Sequence, residues 1–228
     1  MEFTGIDKMS LLYYDDMISV VVFTPKCNFR CPFCHNGLTV LDSDIEIPFN
    51  DILDYLESRK GLIDAVVITG GEPTLMPELK ERIIKIRELG FKIKLDTNGT
   101  NPILLKDLVN SHLIDYVAMD IKNSLEKYPE TCGVCHVQED NIKESIKFLI
   151  NNGVDYEFRT TLVDEYHSLE SITKMGELIK GANKLYLQKF VDREGVIKKG
   201  LHEVSQNKAE QFASLLRNKI KQVDLRGY

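Results

Sequence analysis

Three cysteines lie within eight residues of one another. Cys27, Cys31 and Cys34 have the spacing C-x3-C-x2-C. A thiolate triplet this tight can reach three corners of a cubane iron–sulfur cluster, whereas a self-contained ferredoxin-type run supplies four thiolates. The spacing therefore predicts a four-iron cluster in which one iron lacks a protein ligand. The alternative is a zinc site completed by His35, although structural zinc sites usually use two well-separated ligand pairs.

A second pair of cysteines occurs in the segment Cys132-Gly-Val-Cys135-His136. The pattern matches a c-type haem attachment site, but that chemistry belongs outside the cytoplasm. Three interpretations stay open: a redox pair, a partial metal site that includes His136, or two ordinary cysteines in a loop. Neither cysteine is expected to be needed for the first cluster.

The elements that must position the first three cysteines follow a regular alternation. Runs rich in β-branched residues predict strands, and each is followed or preceded by a segment with helical periodicity. The predicted strands cover residues 18–24, 64–70, 91–96, 116–120, 154–160 and 184–188, and the predicted helices cover 49–58, 77–89, 103–110, 141–151, 169–179 and 205–220. Residues 123–140 are expected to form a loop, and residues 222–226 an edge strand. Such alternation predicts an α/β fold with parallel strands and right-handed crossovers, arranged as a partial (β/α)6 barrel in a single domain over residues 1–228.

Composition excludes several functional classes. The chain is 43% hydrophobic and 28% charged, with a formal net charge of -6. An acidic balance offers no general basic surface for a nucleic-acid backbone, so no nucleic-acid partner is expected. The first residues show no secretory signal, and no apolar run is long enough to span a bilayer, so we expect a cytoplasmic protein without a membrane partner.

A glycine-rich turn follows the second predicted strand, at the edge where parallel α/β sheets bind ligands. Gly70-Gly71-Glu72-Pro73 alone would indicate a turn that needs φ > 0. Together with the cysteine triplet, the turn resembles the hallmark of radical S-adenosylmethionine (SAM) enzymes. The resemblance implies that SAM chelates the open iron through its methionine amino and carboxylate groups and that the turn binds the same amino group. It also implies that Phe33 packs against the adenine.

Polar residues follow the next predicted strands. Asp96 and the segment Asp120-Ile-Lys122 resemble the corresponding positions of the branch that activates glycyl radical enzymes. The resemblance implies that Asp96, Lys122 and Arg159 contact SAM, and it allows a monovalent cation near Asp96 and Asp120. From the residues alone, the aspartates could equally be caps or turn residues, and Arg159 could form a structural salt bridge.

Residues 4–15, the pair Phe23-Thr24 and the segment Cys34-His35-Asn36 resemble activating proteins of anaerobic ribonucleoside-triphosphate reductase. The resemblance implies an oxidoreductase that cleaves SAM reductively to a 5′-deoxyadenosyl radical, which abstracts hydrogen from a glycine of that partner enzyme. Reduced flavodoxin or ferredoxin is the expected electron donor. Two alternatives are a radical SAM enzyme that acts on a small molecule or a modified base, and a non-catalytic iron–sulfur electron carrier. A zinc-stabilised binding module is a third.

Overall fold

The computed structural model describes residues 2–37, 40, 45–151 and 153–228. The backbone divides into two units: the described parts of Met1–Asn28, Leu38–Thr97 and Ile103–Val117 form the first, and Phe29–Gly37, Asn98–Pro102 and Ala118–Tyr228 form the second. Among the described residues, no helix is long and apolar enough to cross a lipid bilayer.

Four strands lie wholly within the described part of the first unit. They are β1 (Gly5–Ser10), β2 (Ser19–Thr24), β3 (Ala65–Gly70) and β4 (Lys92–Thr97). β1 is antiparallel to β2, whereas β2 and β3 are parallel, as are β3 and β4. The β-branched runs of β2 and β3 are buried on both faces, as expected for central parallel strands.

Helices follow these strands in the first unit. They are α1 (Phe49–Ser58), a 3-10 helix (Pro73–Leu75), α2 (Leu79–Glu88) and α3 (Pro102–Asn110), whose first residue lies in the second unit. α1 buries Phe49, Ile52 and Leu56, which share one face of the helix at i, i+3 and i+7 spacing. The apolar periodicity thus decides which side of the helix packs on the core.

Strand β5 (Tyr116–Asp120) begins in the first unit and ends in the second. The second unit then continues with β6 (Asp155–Leu162), β7 (Lys184–Lys189) and β8 (Gln222–Arg226), paired in parallel in that order. Its helices are α4 (Tyr128–Cys132), α5 (Glu139–Asn151), α6 (Leu169–Leu178) and α7 (Gln206–Leu216).

The predicted α/β class with mainly parallel strands is confirmed, including the strand at residues 222–226. Two local features differ from the prediction. β1 was not expected, and residues 123–140 are not a simple loop because they contain a 3-10 helix (Leu125–Lys127), α4 and the start of α5. That the two units form a single domain stays a prediction.

Candidate active site

The Gly70-Gly71-Glu72-Pro73 turn is held backbone to backbone against the segment that leads into the cysteines. The Gly71 N–H donates to the Thr24 carbonyl at 2.8 Å, and the Glu72 N–H donates to the Lys26 carbonyl at 2.8 Å. Both partners lie at or just beyond the end of β2, which is paired with β3. The pairing of these two strands therefore positions the turn against the residues just before Cys27.

Both glycines of the turn are required by this close approach. Gly70 has φ +111°, and a Cβ atom there would lie 2.5 Å from the Thr24 nitrogen. A Cβ atom on Gly71 would lie 1.7 Å from the Lys26 carbonyl oxygen, too close for any side chain. Lys26 itself has φ +59°, an uncommon conformation for a residue with a Cβ atom. The backbone around the first cysteine is thus tightly constrained.

Glu72 holds the turn in place through hydrogen bonds to its side chain. Its side chain is buried, and Oε1 accepts hydrogen bonds from the Thr74 N–H at 3.1 Å, the Thr74 hydroxyl at 2.6 Å and the Thr97 hydroxyl at 2.7 Å. Pro73 occupies the first position of the 3-10 helix, where its missing N–H and fixed φ are favourable. Glu72 therefore links the turn to the end of β4.

Strand β4 carries two buried charged residues on the same face. Asp96 is buried near the carboxyl end of the strand. Lys94, two residues earlier, is also buried, and its ammonium lies 5.7 Å from the Tyr14 ring centroid and 4.9 Å from that of Tyr116. Cation–π contact stabilises a desolvated ammonium group. Sequence reasoning identified Asp96 but missed Lys94.

In the second unit, Cys31 and Cys34 lie in one turn, closed by a hydrogen bond from the Cys34 N–H to the Cys31 carbonyl at 3.0 Å. Cys31 is buried, and a hydrogen bond from the Cys132 thiol lowers the pKa of Cys31 to about 7, against the opposing effect of burial. Burial raises the pKa of Cys34. Of these two thiols, Cys31 is the one prepared to act as a thiolate near neutral pH.

A charged cluster is formed by Asp120 at the end of β5, Lys122 just beyond it and Arg159 within β6. The Lys122 Nζ lies 2.9 Å from one carboxylate oxygen of Asp120, and the Arg159 Nε lies 3.0 Å from the other. Burial would raise the pKa of Asp120, but the two cations outweigh it and lower the pKa to about 2. Asp120 in turn holds the pKa of Lys122 well above its usual value, although burial opposes this. The cluster stays ionised over the physiological pH range.

The segment after β5 is anchored by residues that sequence reasoning did not identify. The Lys122 N–H donates to the Tyr128 hydroxyl at 3.1 Å, and the Lys122 carbonyl lies 3.0 Å from Nε2 of His167. His167 Nδ1 lies 3.0 Å from the Val163 nitrogen and 3.1 Å from the Val163 carbonyl oxygen. A neutral ring with its proton on Nε2 would accept from the Val163 N–H and donate to the Lys122 carbonyl. Burial lowers the pKa of His167, consistent with this neutral form.

Two aromatic contacts accompany the cysteine turn. Phe33 is buried, and its ring centroid lies 6.0 Å from that of Tyr166. His35 stacks on Phe190 at 5.7 Å, and its Nε2 lies 2.9 Å from the carbonyl oxygen of Val191. His35 therefore packs against the segment that follows β7.

Cys27 belongs to the first unit, where it is half-buried and its Sγ lies 3.9 Å from Asn28 Oδ1. Cys31 and Cys34 belong to the second unit. Within the described ranges, no three His, Cys, Asp or Glu side chains are grouped closely enough to hold a metal ion. By its chemistry, the donor set of three thiols still fits a cubane cluster with one open iron, since thiolates are the usual ligands of such clusters.

The structure therefore divides the predicted site residues between the two units. The first unit brings together the turn residues Gly70, Gly71, Glu72 and Pro73 with the segment before Cys27, and it also holds Asp96. The second unit brings together Cys31 and Cys34 with Phe33 beside them, and it joins Lys122 and Arg159 through Asp120. Arg159 forms a salt bridge with Asp120, which is the structural alternative that the sequence left open for this residue.

Comparison with known proteins gives the family. The radical SAM superfamily model matches residues 21–177. A protein of Methanocaldococcus jannaschii named "Putative glycyl-radical enzyme activating enzyme" is 36% identical over 203 residues, which cover 84% of this chain and 80% of the relative. A protein of Saccharolobus islandicus named "Probable GTP 3',8-cyclase" is 31% identical over 177 residues, which cover 73% of this chain and 54% of the relative.

Solved structures share the fold at low sequence identity. SuiB of Streptococcus suis, crystallised with S-adenosylmethionine, superposes with a TM-score of 0.68 at 16% identity, covering 91% of this chain and 52% of SuiB. The family match covers more than half of the chain, and the cysteine triplet and the glycine-rich turn lie inside the matched range. This chain belongs to the radical SAM superfamily, whose cofactors are a four-iron cluster and S-adenosylmethionine.

Proposed function

We propose that Cys27, Cys31 and Cys34 ligate the four-iron cluster. The donor set carries this proposal, because these three thiols form the only tight cysteine triplet in the sequence. The lowered pKa of Cys31 favours the thiolate form that iron requires. When bound and reduced, the cluster supplies the electron that splits SAM into methionine and a 5′-deoxyadenosyl radical.

Replacement of Cys31 by serine tests the ligand assignment. The variant should lose most of its iron after anaerobic reconstitution, because a neutral hydroxyl is a poor ligand for iron in such clusters. The matched control is Cys135→Ser, which changes an exposed cysteine in the same unit and should keep its iron. A full cluster in Cys31→Ser, or stoichiometric zinc in the parent protein, would contradict the assignment.

The remaining predicted residues would bind SAM in this proposal. The turn formed by Gly70, Gly71, Glu72 and Pro73 offers backbone groups to the methionine end, and Phe33 offers an apolar surface to the adenine. Asp96, Lys122 and Arg159 offer charged groups to the methionine and ribose end. Ionised Asp120 can only accept hydrogen bonds or bind a cation, and its two cationic partners fix its orientation. A monovalent cation near Asp96 and Asp120 belongs to the same proposal.

We propose further that the chain activates a glycyl radical enzyme by abstracting hydrogen from a glycine of that partner. The 36% identity to an M. jannaschii protein of that name carries the proposal, because the match covers four-fifths of either chain. Anaerobic ribonucleoside-triphosphate reductase is the proposed partner, on the resemblance of residues 4–15 and 34–36. A low-potential donor such as flavodoxin or ferredoxin would reduce the cluster in the cytoplasm.

Electron paramagnetic resonance tests the activase proposal. The reconstituted protein is mixed anaerobically with a reductant, SAM and the anaerobic ribonucleotide reductase of its own organism. A glycyl radical signal should develop in the reductase, accompanied by 5′-deoxyadenosine. The matched control is the same mixture with Cys31→Ser, which should give neither product. Cleavage of SAM without a signal in any glycyl radical enzyme of the organism would refute the activase function.

A radical SAM enzyme acting on a small molecule is the second candidate. The 31% identity to the S. islandicus protein named as a cyclase favours it, although this chain spans about half of that relative's length. The two candidates differ in the molecule from which the 5′-deoxyadenosyl radical abstracts hydrogen: a glycine of a partner protein or a small molecule. A small-molecule enzyme would consume SAM in step with a low-molecular-weight substrate in the absence of any partner protein, which mass spectrometry of the filtrate would detect.

A further inference from the structure

The two faces of the sheet formed by β6, β7 and β8 differ in polarity. On one face, Phe158, Leu185 and Leu187 are fully buried. Thr160 belongs to the same face, and its hydroxyl lies 3.5 Å from the sulfur of Met175 on α6, so a helix covers this side. Parallel sheets usually carry apolar residues and helices on both faces. The opposite face departs from this pattern because it is polar.

Alternate residues of the three strands form the polar face, because successive side chains of a strand point to opposite sides of the sheet. The parallel register sets these residues side by side in two rows across the strands. The first row is Arg159, Tyr186 and Asp224, and the second row is Thr161, Gln188 and Arg226. The second row lies nearer the carboxyl ends of the strands, which is the edge where parallel α/β sheets bind ligands.

The second row presents hydrogen-bonding groups that a ligand can reach. Thr161, Gln188 and Arg226 are all half-buried. In the part of the chain that the structure describes, neither the Thr161 hydroxyl nor the Gln188 carboxamide makes a hydrogen bond to another residue. A hydroxyl and a carboxamide can each donate and accept. The row therefore offers donors and acceptors together.

The arginines of the polar face are paired with carboxylates. The Arg159 Nε lies 3.0 Å from Oδ1 of Asp120, and the Arg226 Nη1 lies 3.4 Å from Oε1 of the buried Glu157. Arg226 also stacks on Tyr186, with its guanidinium carbon 3.3 Å from the ring centroid. Arginines that recognise phosphate groups direct their N–H donors at the ligand. Because the charges here are already compensated, the face suits an uncharged polar ligand better than a polyphosphate.

The dimensions of the second row match a short extended peptide. Neighbouring strands lie about 4.8 Å apart, so three strands span about 10 Å, the length of about three extended residues. The free N–H and C=O groups of such a peptide require both acceptors and donors. Arg159, a proposed SAM contact, lies two residues before Thr161, about 6.6 Å along the strand. A peptide on the second row would therefore lie beside the cofactor.

We propose that Thr161 and Gln188 bind the backbone of an extended segment of the partner protein. This inference rests on the proposed activase function and names residues that hold its protein substrate. Glycine has no side chain, so a segment around the reacting glycine must be recognised there through its backbone groups. The hydroxyl and the carboxamide of the second row supply that recognition.

The rate of glycyl radical formation at increasing concentrations of the organism's anaerobic ribonucleotide reductase tests the proposal. Gln188→Met and Thr161→Val roughly keep the size of each side chain but remove its hydrogen-bonding groups. Each variant should raise the KM for the reductase about twofold to tenfold, as expected for one or two lost hydrogen bonds, and leave kcat close to that of the parent. Iron content and the Kd for SAM should not change.

The matched control is Gln206→Met, which makes the same substitution at an exposed residue of α7 and should leave the KM unchanged. Equal KM values in the parent and both variants would overturn the inference and leave the proposed function intact. Loss of the cluster from both variants would also overturn it, because the residues would then be structural. Binding of inorganic triphosphate that either variant abolishes would make the row an anion site instead. A parent protein that cleaves SAM but activates no glycyl radical enzyme would overturn the proposed function, and this inference with it.

Discussion

Replacing Gly71 by alanine adds a single methyl group. This change should nevertheless destabilise the fold and reduce cluster binding. The added Cβ atom would lie 1.7 Å from the Lys26 carbonyl oxygen, 2.5 Å from the Lys26 carbonyl carbon and 3.0 Å from the Pro25 carbonyl oxygen. All three atoms belong to the backbone, so no side-chain rotation can relieve the overlap. The turn and the segment before Cys27 would have to separate by about 1.7 Å to bring this contact from 1.7 Å to the 3.4 Å of ordinary van der Waals contact.

Three contributions set the size of the effect. Overpacking against a rigid neighbour costs about 1–3 kcal/mol. Separation also breaks the hydrogen bond from the Glu72 N–H to the Lys26 carbonyl, which contributes about 0.5–1.5 kcal/mol. Alanine also lowers the conformational entropy of the unfolded chain, which raises the free energy of unfolding by about 0.4–1 kcal/mol. The free energy of unfolding should therefore fall by about 2 kcal/mol, because the steric and hydrogen-bond losses outweigh the entropic gain.

Urea denaturation of the metal-free protein measures the free energy of unfolding, and iron analysis after reconstitution measures the effect on the cysteine segment. The matched control is Gly153→Ala, because a Cβ atom there meets nothing within 4 Å and the residue does not have a left-handed φ. Gly153→Ala should be neutral or slightly stabilising. Equal stability and equal iron content in Gly71→Ala and the parent would refute the assigned role of this close approach.

Two further predictions concern carboxylates that accept several hydrogen bonds or salt bridges. The pKa of Asp120 is lowered to about 2 by Lys122 and Arg159, so its stabilisation should be present above about pH 4 and lost as the pH falls toward 2. Between pH 5 and pH 2, the free energy of unfolding should fall less in Asp120→Asn than in the parent protein. The same pH dependence in variant and parent would contradict this prediction. Glu72→Ala should lower the free energy of unfolding by about 2–3 kcal/mol because it removes the buried acceptor of three hydrogen bonds, from the Thr74 N–H, the Thr74 hydroxyl and the Thr97 hydroxyl. Glu72→Gln can keep an oxygen at Oε1 and should cost much less; equal losses in the two variants would refute the argument.

Much of the fold could be predicted from the sequence because its central strands are buried on both faces. The run at residues 19–24 reads as a strand without knowledge of its neighbours, since its β-branched residues favour no other buried element. β1 could not be predicted in this way. Gly5–Ser10 mixes polar and exposed residues, and it becomes a strand only through antiparallel pairing with β2.

Helix α4 has helix-boundary residues in its sequence, but they are too few to predict a helix. Pro129 lies in its first turn and Gly133 ends it in the left-handed conformation, and both are recognised helix-boundary residues. With only five residues between boundaries, however, no apolar periodicity can develop. A stretch with two cysteines, a proline and a glycine therefore resembled a loop.

The family could be predicted because the residues that indicate it are close together in the sequence. The cysteine triplet and the glycine-rich turn depend on residues close together in sequence, and these gave the family. The contacts that Cys132 and His167 make were not predictable, because their partners Cys31 and Lys122 are 101 and 45 residues away in the chain. Contacts across such separations are created by the packing of β5, α4 and β6, and no local pattern encodes them.

The proposal that this chain abstracts hydrogen from a glycine of a partner enzyme is tested most directly by following the hydrogen atom. The partner is produced with glycine deuterated at Cα, activated anaerobically with the reconstituted protein, a reductant and SAM, and the 5′-deoxyadenosine is analysed by mass spectrometry. We predict one deuterium in the 5′-deoxyadenosine, in step with the growth of the glycyl radical signal. Formation of 5′-deoxyadenosine that contains no deuterium, while the partner stays without a radical, would contradict the claim.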